Sequence, residues 1–147
     1  MIPATVDSNL PDTRAGRKAG ILDLQDALQA TPEEYQVELP VWHYFANGVY
    51  GREIFIPEGV CVVGKIHLHE CINVITEGRV RVVTEFGAEE FVAPVTFISP
   101  AGAKRAVYAL EDTTWTTFHP SIEDDVQKTV DALVTNDYND KRLLEVL

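Results

Sequence analysis

Two histidines and a cysteine stand at alternating positions, His67, His69 and Cys71, within the stretch Gly64 to Gly78, GKIHLHECINVITEG. On a strand, successive side chains point to opposite faces, so all three share one face. Two imidazoles and a thiol held together suit one divalent transition metal, with Zn, Fe, Ni, Mn and Cu as the candidates. The same alternation puts Ile66, Leu68 and Ile72 on the other face, as a packed sheet needs. The histidine face can therefore equally be a solvated surface.

Other reactive side chains lie far off in sequence. His119 ends the run Thr114 to His119 and shares parity with Trp115 and Thr117, so the three can line one pocket wall. Tyr50 and Arg52 lead into the strand Glu53-Ile54-Phe55-Ile56, and Arg105 follows the turn Pro100-Ala101-Gly102. Arginine cannot ligate a metal; it is permanently cationic and shaped for carboxylates and phosphates. A metal set would draw on His67, His69, Cys71 and His119. A ligand set would draw on Tyr50, Arg52, Arg105 and Trp115. The competing reading of Arg105 is an ion pair with Glu53 or Glu70, and that of His43, flanked by aromatics, is a packed histidine. A nucleophilic pair of Cys71 with His67 or His69 is a further alternative.

Inward residues of a barrel share one lumen, so these distant segments can converge if the chain forms one. At 147 residues the length fits one domain. Residues 36–120 read as short alternating runs broken by Gly and Pro at roughly eight-to-twelve-residue spacing, the pattern of a barrel or sandwich. Residues 1–20 read as an extended polar arm carrying the basic cluster Arg14, Arg17 and Lys18. Residues 21–35 read as a short amphipathic helix followed by a turn. Residues 121–147 read as a helix capped by Ser121, with a stripe of Val126, Val130 and Leu133, and an apolar tail from Leu143 to Leu147 that must dock somewhere.

The formal charge of −11 disfavours nucleic acid and anionic membrane as partners. No apolar run is long enough to span a membrane, no signal-peptide core is visible, and two cysteines make no disulfide framework. A cytoplasmic protein is expected, with thiols kept reduced.

The order of a His-x-His strand, the Glu77-Gly78 turn, a hairpin and the Pro100-Ala101-Gly102 turn resembles the cupin superfamily of small β-barrels, from about Val41 to Pro120. The resemblance implies a mainly β double-stranded β-helix, or jelly roll, with a short N-terminal helix and a C-terminal helix. It also implies positions for a metal set. Counting from Gly78 and Gly102, those positions hold Lys65, His67, Cys71 and Arg105, where metal-binding relatives have histidine, histidine, glutamate and histidine. More narrowly, WHYFANGVYGREIFIPEG, GKIHLHECINVITEGRV and SPAGAKRAVYALEDTTWTTFHP are similar to the small cupin-like proteins of tailed bacteriophages, which implies host cytoplasm as the location.

Three functions follow as expectations. The first is a barrel binding a small anionic or aromatic ligand, a host metabolite or signal if phage-encoded. The second is a metal-dependent enzyme of oxygenase, isomerase or hydrolase type using His67 and His69. The third is a subunit of a homo-oligomeric or phage assembly, a homo-oligomer being implied by the resemblance.

Overall fold

The computed structural model describes residues 10–146. Eleven strands dominate it: β1 Val41–Ala46, β2 Val49–Ile56, β3 Cys61–Val63, β4 Ile66–His67, β5 Cys71–Glu77, β6 Arg79–Thr84, β7 Gly87–Val92, β8 Val95–Ser99, β9 Ala106–Ala109, β10 Thr113–Pro120 and β11 Val134–Thr135. They form a five-stranded sheet ordered β1-β2-β10-β5-β8, a four-stranded sheet ordered β3-β9-β6-β7, and the small pair β11-β4. All pairings are antiparallel. The sheets are separate ladders rather than a closed cylinder, the jelly-roll solution to covering an apolar face.

Alternation sets the core. On β10, Thr113, Trp115, Thr117 and His119 are buried while Phe118 and Pro120 are exposed, and Thr116 of the other parity is covered too. Ile56, Ile75, Val80, Val82, Val107, Ala109 and Trp115 form the main cluster between the sheets. Each fully buried Ile or Val contributes about 1.5–3 kcal/mol, so this layer holds the sheets face to face. The turn between β5 and β6 demands glycine. Gly78 has φ +97°, and a Cβ there would run into the Asp112 carbonyl and Thr113.

The flanking helices differ from the sequence reading. Helix α1 spans Arg14–Ala30 and so begins inside the segment read as an arm; residues 1–9 of that arm lie outside the described part. Thr13 starts the helix by accepting the Gly16 amide at 3.0 Å. The basic cluster fixes its position: Arg14 Nε donates to Glu85 at 3.0 Å, Arg17 Nε to the Glu85 carbonyl at 2.8 Å, and Lys18 lies 3.6 Å from the Tyr138 ring centroid. Thr31 before Pro32 ends the helix, because the residue before proline is pushed out of the α region.

The C-terminal helix α2 spans Val126–Leu133, with Asp125 as its cap in place of Ser121. The Ser121 hydroxyl is taken by the Glu123 amide in a local turn, while the Asp125 carboxylate accepts from the Lys128 amide at 3.0 Å. Helix α3 spans Lys141–Val146. Its Leu143 is buried against Ile66 and Leu68, so this part of the tail docks on its own barrel.

Candidate functional site

The register lays out the inner face of the five-stranded sheet in rows. Tyr50 on β2 lies beside His119 on β10, and Cys71 on β5 beside Ser99 on β8. The next row across the strands reads His43, Arg52, Thr117, Asn73 and Phe97, and the one beyond it Val41, Ile54, Trp115, Ile75 and Val95. One end of the sheet interior is therefore polar and the other apolar. A cavity of about 490 Å³ opens over both. His43, Tyr50, Arg52, Lys65, His67, Arg105, Trp115 and His119 all line it, and Val130, Leu133 and Val134 from the C-terminal segment close one side.

Arg105 organises the polar end. It is buried, and its guanidinium donates from Nη1 to Asn73 Oδ1 at 2.7 Å and Ser99 Oγ at 2.9 Å, and from Nη2 to His67 Nε2 at 2.9 Å. Its carbon lies 5.0 Å from the Trp115 ring centroid. Asn73 Oδ1 also accepts from Trp115 Nε1 at 3.0 Å, and its amide donates to Ser99 Oγ at 2.9 Å. The alternative reading, an ion pair with Glu53 or Glu70, is not what forms: Glu53 accepts from Thr116, and every hydrogen-bond partner of Arg105 among the described residues is neutral. Arg52 forms no hydrogen bond or ion pair among the described residues. Among the described residues lining the cavity there is no carboxylate.

Burial first, and these cations second, set the protonation of their neighbours. Burial holds His67 well below the ordinary histidine value, reinforced by Arg105, His119 and Arg52. His119 is pushed down to about 4, by burial first and then by the two guanidiniums. Both imidazoles are neutral at pH 7. Arg105 has only hydrogens to offer, so His67 Nε2 must be an acceptor and its proton sits on Nδ1, which faces Cys71 Sγ at 4.0 Å. Burial raises Cys71 despite nearby Arg105, so it stays a thiol rather than a thiolate nucleophile. A column of rings runs from exposed His43 through Tyr50 and His119 to His67, with centroids 5.8–6.1 Å apart. His43 Nδ1 and the Tyr50 hydroxyl meet at 2.6 Å.

His67 and Cys71 come together with His119, but His69 does not join them. Strand β4 stops at His67 and the chain bends through Leu68 and His69, which breaks the alternation that would have kept them in line. His69 is exposed as a result. Asn73 and Ser99 escaped the sequence reading. Asn73 shares parity with Cys71 and Ile75 inside an apolar strand, and a buried amide there calls for buried partners.

No family model and no curated protein matches the sequence. Solved structures do match in fold. A cupin superfamily protein from Desulfitobacterium hafniense aligns over 60% of this chain and 83% of its own, with TM-score 0.50 and 11% identity. KdgF from Halomonas sp. aligns over 61% and 87%, with TM-score 0.50 and 15% identity. The fold is thus that of the cupin barrels, and the cavity occupies its interior. No helix among the described residues is long and apolar enough to cross a membrane.

His67, Cys71 and His119 place one donor atom each within 4.8 Å of one another. In donor types the trio suits a borderline ion. A neutral imidazole has one lone pair, however, and that of His67 is spent on Arg105. An ion could claim His67 only by displacing the guanidinium, and would then sit beside an uncompensated positive charge. The trio is a candidate metal site, and with the guanidinium in place it offers an ion Cys71 and His119 but not the His67 lone pair. The guanidinium takes up the imidazole that an ion would need.

Proposed function

We propose that the protein binds a small anionic molecule in the barrel cavity. The observation that carries this reading is a buried arginine with only neutral partners beside a second arginine with no hydrogen bond or ion pair, in a cavity without carboxylates, among the described residues. A buried charge is costly unless paired, so the site is complete only when an anion enters. Arg52 supplies an open fork of donors, Arg105 a second positive centre, and Trp115 an apolar face. Calorimetric titration with carboxylates and inorganic phosphate tests this. At least one anion should bind, and Arg52→Met and Arg105→Met should each weaken it more than tenfold. Binding unchanged in both variants would reject the reading.

The second reading is a metal centre at His67, Cys71 and His119, favoured by the closeness of their donor atoms. Elemental mass spectrometry on untagged protein decides it. Near-stoichiometric metal that disappears in His67→Ala/His119→Ala would put an ion in place of Arg105.

The reading extends to a homo-oligomer, for which the outer face of the five-stranded sheet is the supporting surface. One row there runs Tyr44, Gly51, Phe118, Ile72, Ile98 across every strand. Its four side chains are 39–66% exposed, with Trp42 and Val49 beside them. Together these six offer on the order of 600 Å², more than most monomers expose in one patch and close to the ~800 Å² a standard interface needs from each partner. A second copy, presenting the same uncharged row, is the occupant proposed.

A further inference from the structure

The register also constrains the body of the ligand, because the cavity is divided along the strands. We infer that the cavity takes an organic acid with one compact anionic head and an apolar body, such as a medium-chain or aryl carboxylate; this rests on the anion-binding reading above. The head belongs at Arg52 and Arg105, in the rows that also carry Thr117 and Asn73. Beyond them the wall changes character. Val41 and Ile54 continue the five-stranded sheet, Val62 and Val107 face them from the opposite sheet, and Val130 and Leu133 close the side.

Among the described residues of that zone Trp115 is the one whose side chain is polar-capable, and its N–H is already donated to Asn73. The apolar zone therefore gives a ligand hydroxyl nothing to bond to. A sugar phosphate would enter with several hydroxyls losing water and gaining no partner, which penalises each of them. A methylene chain or a phenyl ring loses nothing there and gains contact with the branched side chains and the indole face. The space fits such a molecule: about 490 Å³ equals the liquid volume of about sixteen waters at ~30 Å³ each, enough for on the order of a dozen heavy atoms.

The test is calorimetric titration of the full chain with straight-chain carboxylates from butanoate to octanoate and with 3-phenylpropanoate. Inorganic phosphate, glucose 6-phosphate and octylammonium serve as comparisons. Affinity is expected to rise about fourfold per added methylene until the cavity is full. Arg52→Met should lower octanoate affinity at least tenfold while keeping the gain per methylene, and Arg52→Lys should recover part of the loss. Circular dichroism confirms that each variant is folded. Phosphate or glucose 6-phosphate binding as tightly as octanoate would overturn the apolar body but leave the anion site standing. Octylammonium equalling octanoate would overturn the anion site. Binding of none of these acids or phosphates would overturn both.

Discussion

Arg105, half-buried His67 and buried His119 tie the site to pH. In the unfolded chain an imidazole titrates near 6.5, whereas in the fold His119 does so at about 4 and His67 well below 6.5. Between those values the unfolded chain binds more protons than the native one, so falling pH favours unfolding. The stability these histidines allow is complete above about pH 6.5 and is lost as the pH drops toward 4. Thermal melts from pH 7 to 4.5 should therefore fall more steeply for the wild type than for His67→Gln or His119→Gln. Parallel curves would mean that the imidazoles do not sit in the cationic, desolvated setting described. Much of this residue-level picture is legible in the sequence. Parity places Trp115, Thr117 and His119 on one face, and Arg105 stands out as a cation where related barrels have a ligand. The Arg105–His67 bond is not legible, since it depends on the backbone bonds of His67 to Gly102 and Ala103, which bring β4 against the loop before β9 from far off in sequence.

At the scale of elements, the turns were the readable part and the ends of helices the unreadable part. Gly78 marks its turn because only glycine fits there, and such constraints are local. Thr13 as a cap and the two-residue strand β11 are set by what they touch, which local pattern does not carry. Strand β11 matters most for the site. Val134 pairs with His67, and the Leu68 amide donates to the Leu133 carbonyl at 2.9 Å, so α2 and β11 wall the cavity through a very short ladder. Short, peripheral ladders open more readily than core ones. Hydrogen exchange at the Leu68 amide should be faster than at Val107 in the main core ladder, and octanoate should slow it selectively. Equal protection at both positions without ligand would show this wall to be as fixed as the core.

The whole molecule combines a charge of −11 with a cavity lined by cations and an outer sheet face whose Tyr44–Ile98 row is uncharged, with Glu53 in the row beside it. Acidic surface keeps copies apart, so the proposed dimer would form on the uncharged Tyr44–Ile98 row. Light scattering should report a dimer that Ile72→Glu/Ile98→Glu converts to a monomer with unchanged circular dichroism. A wild-type monomer at tens of micromolar would reject the interface. That double variant leaves the cavity untouched, because Ile72 and Ile98 point to the opposite face from Asn73 and Ser99.

The pairing of β2 with β10, and of His67 with Val134, also has a consequence in time. These are contacts between segments far apart along the chain, the kind that form slowly and late. The cavity has no walls until they are all in place, so no partly folded form can hold the ligand. A bound acid thus leaves the rate of folding as it was and lengthens the life of the finished protein, by making each escape from the native state rarer.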